Sequence, residues 1–325
     1  MTMKNVSKLA LFVAAGMVSA GVQAADFEVD DRTTVTLGGE VVLNYITEDA
    51  TDGSDETQFT DDGSIVVFGG SRDLGNGVTG YIETEFEYNT LGDGDGDFTR
   101  DATVLGFAGD FGEIQIGDSD NVFEDLISDS VDPFENATLA QVDLTDEDNM
   151  VTYYSPDMGN FSFRLQSRIA DETTTANQTG TELSLIAAAQ FTAGNLSLRA
   201  AYDDRGSVDA ETGNAFESED EVLGVAAVFG LTDAVELSAR YAEQSGKDGI
   251  DSDGTAVAIN YDYGMGSLYG AFQDVSVDAG EDGSQMAFGA NYDVADGLMI
   301  FAEYGDFDDV DGDDSLAVAG LVFEY

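Results

Sequence analysis

Residues 160–170, NFSFRLQSRIA, place Phe161, Phe163, Leu165, Ser167 and Ile169 on one side of an extended chain and Ser162, Arg164, Gln166 and Arg168 on the other. A period of two is the mark of a strand with unlike faces. Such a strand can hide its apolar face in a soluble sandwich, or turn it outward to lipid in a membrane barrel. The same unit recurs along the chain as a strand of about ten residues, a reversal and another strand. No long segment has a helical apolar period. Past the leader, the longest apolar run, VLGVAAVFGL at 222–231, is interrupted by glycines and too short for a spanning helix.

The connections fall into two alternating groups. Seven are short: DLGNG (73–77), GDFG (109–112), PDMGN (156–160), TAGN (192–195), LTDA (231–234), YGMG (263–266) and DVADG (293–297). Eight are longer and acidic, near 47–62, 90–99, 118–148, 171–180, 203–219, 245–253, 274–284 and 305–314. Strict alternation of the two predicts sixteen strands, with both chain ends on the side of the short turns. Short turns on one side, long loops on the other and an even strand count are the pattern of an outer-membrane barrel. Aromatics near the strand ends on the apolar face, including Tyr45, Phe86, Tyr88, Phe191, Tyr202, Phe229, Tyr241, Tyr261, Tyr292 and Tyr304, fit an interfacial girdle. The expected fold is therefore all-β, a sixteen-stranded antiparallel transmembrane barrel, with the phenylalanines of 160–170 in lipid and its arginines in a lumen.

The N-terminus adds a compartment. Lys4 and Lys8 precede the apolar stretch 9–18 and then Val22-Gln23-Ala24, the layout of a secretory signal peptide. Residues 1–24 are assigned to that leader and 25–325 to the barrel. The mature chain then carries nine basic against 66 acidic residues, a net charge of −57, which makes nucleic acid a very poor partner. With neither Cys nor His, thiol chemistry, imidazole bases and the usual zinc sites are excluded. Among 66 acids, close carboxylate pairs arise by chance, so they do not argue for an acid–base enzyme. A chain this acidic could be disordered, but 42% hydrophobic and 10% aromatic residues in alternation are enough to fold.

TVTLGGE (34–40), SIVVFGGSRDLGNGVTGYIETEFEY (64–88), TVLGFAGDFGEIQIGD (103–118), DNMVTYYSPDMGNFSF (148–163) and a last strand ending at the aromatic Tyr325 together resemble, in order and spacing, the Gram-negative general-diffusion porins. The resemblance runs from the leader to the C-terminus. It implies a homotrimer in outer-membrane lipid that passes small hydrophilic solutes and ions without chemistry. It also implies a third long loop that folds inward and narrows the lumen. Here that loop is 118–148, whose Val122, Phe123, Leu126, Ile127, Val131 and Phe134 could pack against a wall. Asp132 and Glu135, flanking Pro133 and Phe134, resemble the family's acidic constriction stretch.

The departures concern charge. Glu40 stands where such porins usually have Lys or Arg, Asp118 where Gly-Arg is common, and Ile65, Asp101 and Asp146 also replace familiar basic positions, with Arg100 one residue away. The remaining arginines, Arg164, Arg168, Arg199 and Arg240, fall by strand parity on the polar face, shared with Glu83, Glu85, Glu87, Glu182 and Glu236. They either pair with neighbouring acids or form a ladder that keeps a transverse field. Carboxylates confined between low-dielectric walls concentrate cations, so cation selectivity is expected, weakening as salt shortens the screening length from about 10 Å at 0.1 M to about 3 Å at 1 M. A chain this charged suits saline surroundings or bound divalent ions. No cofactor is expected. Acidic runs at 92–98, 251–254 and 308–314 could bind divalent cations weakly, but none completes a twelve-residue calcium loop. A substrate-specific channel of the same architecture, and a secreted acidic calcium-binding β-protein, remain the competing readings.

Overall fold

A computed structural model describes residues 24–49, 56–91, 98–140, 142, 144–145, 147–169, 184–205, 221–245, 251–278, 282–309 and 312–325. The leader assigned to residues 1–24 lies outside them, apart from Ala24. In chain order the strands are β1 (Ala24–Asp30), β2 (Thr33–Asp49), β3 (Glu56–Asp61), β4 (Ile65–Gly75), β5 (Val78–Glu87), β6 (Thr99–Gly109), β7 (Gly112–Gly117), β8 (Met150–Tyr154) and β9 (Phe161–Arg168). They continue as β10 (Ile186–Ala193), β11 (Leu196–Asp203), β12 (Glu221–Thr232), β13 (Val235–Ser245), β14 (Ser252–Asp262), β15 (Ser267–Val277), β16 (Gly283–Ala295), β17 (Leu298–Asp309) and β18 (Gly312–Glu324).

Every neighbouring pair is antiparallel, and two strands share each of two positions. Residues 33–40 of β2 pair with β4 and residues 43–48 with β3, so β3 and β4 are halves of one bent strand. On the other edge of β2, β18 pairs with residues 40–49 and β1 with residues 33–38. With β9 paired to β10, the sheet closes into a sixteen-stranded barrel. The short connections behave as their residues dictate. Asn76-Gly77 takes positive φ at both positions (57° and 77°), the backbone that joins two strands with the right twist in a two-residue hairpin.

The outer strand ends run further than the acidic loops suggested. Glu48 lies opposite Glu56 and Asp309 opposite Gly312, so much of 47–62, 274–284 and 305–314 belongs to strands, while Glu243 opposite Asp253 carries pairing to the edge of 245–253. Sequence polarity marks where a strand leaves lipid, while backbone pairing continues into water. The segment 118–148 remains the long exception, and within it Glu124–Ser128 and Asp129–Val131 form short helical turns.

The two barrel faces are chemically opposite. Phe161, Leu165, Phe191, Leu198, Leu223, Val225, Phe229, Tyr241, Val257, Ile259 and Tyr261 stand exposed on one. On the other, positions two apart carry Gln166, Arg199, Arg240, Gln273, Gln285 and Glu303, or small residues. An exposed apolar band of this extent is the signature of a surface that faces lipid.

Candidate functional site

Described residues of the segment 118–148 pack against the polar face. Phe123 and Ile127 are fully buried, and with Val122 and Leu126 they pack on Ile186, Ala188, Ala201, Val222, Ala226 and Ala242 of β10–β13. Further along, Val131, Ala137 and Leu139 pack on Ala256, Ala271 and Ala287 of β14–β16. The wall is lined with small residues where the segment crosses it. A Cβ on Gly224 would lie 2.5 Å from the Phe123 ring and 2.6 Å from the Ile127 side chain. Burying a side chain such as Phe or Ile is worth about 1.5–3 kcal/mol, so these contacts hold the segment firmly.

Polar anchors fix its path. At its base, the buried Asp203 carboxylate accepts from the Thr145 amide (2.8 Å), the Thr145 hydroxyl (2.7 Å) and the Asn121 side-chain amide (3.3 Å). Gln166 accepts from the Val122 amide (3.1 Å) and donates to the Asp120 carbonyl (2.8 Å). Near the tip, Gln273 donates to the Ala140 carbonyl (2.8 Å), and Gln285 accepts from the Ala140 amide (2.7 Å).

Three of the four sequence-singled arginines engage this segment. Arg164 on β9 forms an ion pair with Asp125 and lies 5.3 Å from the Tyr154 ring centroid. Arg199 on β11 donates to the Leu126 carbonyl (3.4 Å) and to Gln190 (3.1 Å). Arg240 on β13, almost fully buried, donates to the carbonyls of Ser128 (3.3 Å) and Ala140 (3.2 Å) and to the Gln273 side chain. Arg168 is half-buried near the outer end of β9, and its backbone amide donates to Ser184 Oγ (2.9 Å).

The acids are placed differently. Asp118 sits at the start of the segment in an ion pair with Arg100, one residue from the replaced position 101, and accepts from the Asn149 amide (3.3 Å). Glu40 on β2 is half-buried on the polar face and electrostatically coupled to Glu135, Glu324 and Glu85. Glu135, at the tip, is coupled in turn to Glu303, Asp62 and Glu324. Asp132 lies nearer Arg240. Asp146 is outside the described residues.

Five of the segment's carboxylates, Asp120, Asp129, Asp132, Glu135 and Glu147, are harder to ionise than usual. Loss of bulk water, then the neighbouring Glu124, Asp125 and Asp132, pushes Asp129 up to about 7. Loss of bulk water also lifts Asp132 to about 6 against the pull of its backbone hydrogen bonds and Arg240, and Glu147 to about 7. Glu135 is raised by the same loss and then by Glu303, Asp62 and Glu324. Asp129 and Glu135 nevertheless keep water-exposed side chains. Exposure to some water inside an enclosing wall reconciles the two facts. Among the described residues no group of three or more acids converges as a metal site. The acidic run at 92–98 lies outside the described residues apart from Phe98, as do 310 and 311 of the run at 308–314.

Sequence reading did not single out Asp203, Gln166, Gln273, Gln285 or Glu303. The signal that could have exposed the wall was the repetition of Ala and Gly at inward positions of β10–β16, where a chain segment needs room to lie.

Comparisons with known proteins agree with this architecture. A monosaccharide porin of a Halomonas species is 25% identical over 98% of this chain and 99% of its own. Outer membrane protein U of Vibrio parahaemolyticus is 24% identical over 82% of this chain and 69% of its own. Among solved structures, an anion-selective porin from Comamonas acidovorans superimposes with a TM-score of 0.71 at 16% identity, covering 90% of this chain and all of that one. A loop-deletion variant of the Vibrio cholerae outer membrane protein OmpT gives 0.72 at 17% identity, covering 91% of this chain and all of that one. Residues 10–312 match the profile of the Gram-negative porins, and the chain belongs to that outer-membrane family.

Proposed function

We propose that the protein is a water-filled, cation-selective channel for passive diffusion of small hydrophilic solutes and ions, in which the segment 118–148 folds into the lumen and narrows it. One observation carries this reading. Three of the arginines on the polar face are bound to the segment, while Glu40 and Glu135 act electrostatically on each other and both feel Glu324, with Asp62 acting on Glu135. A cation held by carbonyls and Asp125 contributes little field to the opening, whereas carboxylates bordering water contribute to the extent that they are ionised. Glu40, Asp132 and Glu135 then act at the constriction, Asp118 and Arg168 at its outer rim, and Arg164, Arg199 and Arg240 chiefly hold the segment. A homotrimer in outer-membrane lipid, weak divalent binding by the outer acidic hairpins and a saline habitat belong to the same reading. No enzymatic step is part of it.

The zero-current potential in a planar bilayer under a KCl gradient tests selectivity. A large cation-selective potential that shrinks with rising salt is expected, and an anion-selective potential would overturn the charge reading. The Halomonas relative's name favours a second reading, a channel with a preference for monosaccharides. Swelling of protein-containing liposomes in sugars of equal size, with and without competing sugar, separates a saturable preference from simple sieving.

A further inference from the structure

β1 is joined to the sheet along one edge, by its ladder to residues 33–38 of β2. Among the described residues no strand pairs with its other edge, and every residue of β1 is exposed. The alternation of hydrogen bonds says which groups that edge offers. Gly39 of β2 exchanges both backbone bonds with Tyr325 (2.9 and 3.1 Å), whereas the Val42 carbonyl accepts from the Asp62 amide on the opposite side (3.1 Å). The odd residues of β2 therefore bond toward β18 and β1. In an antiparallel ladder bonded and non-bonded pairs alternate. Ala25 and Phe27, opposite Leu37 and Val35, spend their amides and carbonyls on β2, and those of Ala24, Asp26 and Glu28 point away from it. Unpaired backbone groups in an extended row are a template for a further strand.

The side chains decide what that strand is. Asp26 and Glu28 lie opposite Thr36 and Thr34 on the polar face, while Phe27 (54% exposed) lies opposite Val35 and Val29 (64% exposed) follows it on the apolar face. Where β18 ends beside β1, Glu324 has Asp293 and Asp296 of the neighbouring short turn as electrostatic neighbours. The nearby Arg32 and Arg72 are engaged between β2 and β4, bonded to the Asp73 carbonyl (2.8 Å) and to Thr33 (2.6 Å). A second copy of β1 laid along this edge would set acids against acids, and like charges directly opposite destabilise a strand pair. Basic residues opposite Asp26 and Glu28, with apolar residues between them, match both faces. We propose that the outer edge of β1 is a docking site for an extended cationic peptide segment of alternating basic and apolar residues, which adds to the sheet as a strand. The site lies on the side of the short turns, the periplasmic side of an outer-membrane barrel. A strand added there takes a wall position, so it moors the barrel without entering the lumen.

An acidic protein attracts any cationic peptide, so the test must separate strand addition from charge alone. The probe is a fluorescent peptide of alternating lysine and valine, titrated by anisotropy into the full-length protein in neutral detergent. Its partner is the same peptide N-methylated at the lysine amides, which keeps every charge but loses the donors that would meet Asp26 and Glu28. Loss of two amide hydrogen bonds is expected to weaken binding about tenfold. Asp26→Pro removes an N–H from the outer edge without touching a bond to β2, a placement that edge strands tolerate. The two peptides are then expected to bind alike, at the weaker level. Asp26→Asn combined with Glu28→Gln keeps the backbone edge and removes its charge. It is expected to weaken both peptides and to flatten the dependence of binding on salt.

Equal affinity of the two peptides for the native protein would overturn the proposal, as would absence of binding at low salt or an undiminished preference in Asp26→Pro. If Asp26→Pro does not assemble, a benzophenone on the unmethylated peptide reports the place of binding in the native protein. Crosslinks mapped to residues 24–30 by mass spectrometry support the docked strand, and crosslinks confined to the outer acidic hairpins overturn it. None of these outcomes depends on the selectivity of the channel, which the zero-current potential reads separately.

Discussion

The wall formed by β9, β11 and β13 and the wall formed by β2, β17 and β18 face the same interior, yet they use charge in opposite ways. The first presents Arg164, Arg199 and Arg240, each bonded to the segment that crosses it. The second presents Glu40 and Glu324, half-buried acids with like-charged neighbours, and Glu303, whose charge is met by amides and a hydroxyl. The difference teaches that counting charges on a face does not give its field. On the proposed reading, cations whose partners are carbonyls and a carboxylate hold the segment, and acids left beside water set the sign of the opening.

Removing the most deeply engaged cation breaks the first wall most directly. Arg240→Ala leaves the carbonyls of Ser128 and Ala140 and the Gln273 oxygen without their charged donor. The expected cost is on the order of 3 kcal/mol of local stability. It is checked by heat-induced unfolding of the detergent-solubilised barrel and by faster proteolysis within 118–148, with cation selectivity retained because a bonded cation contributes little to the opening.

Proton titration sharpens the comparison next. Asp129 and Glu147, raised to about 7, and Asp132, raised to about 6, gain protons as pH falls from 8 to 5. The potential under a fixed KCl gradient should lose part of its cation preference over that window. The stability sign follows from linkage. These carboxyls bind protons more readily folded than unfolded, so they destabilise the fold when ionised, and resistance to unfolding should rise as pH falls through about 7 toward 5. A flat profile in both measurements would contradict the crowding of acids described here.

The smallest effect belongs to Asp118→Asn. This acid is already paired with Arg100 at an exposed rim, where such pairs contribute about 0–1 kcal/mol. Selectivity at 0.1 M salt should change little, and a change as large as that from neutralising Glu135 would move the constriction to the rim.

Much of the fold was legible because its code is local. Alternation assigns Phe161 and Leu165 to one face and Arg164 and Gln166 to the other, and turn residues such as Asn76-Gly77 mark the reversals. Even so, the outer hairpins run longer than polarity implied, because water ends the apolar code without ending the hydrogen-bond ladder. The site was less legible. Glu303 reads as one more inward acid among 66, and its hydrogen bonds exist only because residues 135–137 arrive beside it from the other half of the chain. Parity sends Arg240 inward correctly, but nothing near it in sequence announces that its partners are carbonyls of 128 and 140 rather than the acids that share its face. The alanines and Gly224 under Phe123 and Ile127 were the one readable trace of the crossing segment.

The most direct test of the account compares zero-current potentials of the native protein and of a Glu40→Gln, Glu135→Gln double variant at 0.1 M and 1 M mean KCl. The account predicts strong cation selectivity in the native channel at 0.1 M, a marked loss in the double variant, and convergence of the two at 1 M as screening shortens. Equal potentials for the two proteins at 0.1 M would contradict it and place the selectivity of this porin elsewhere in the barrel.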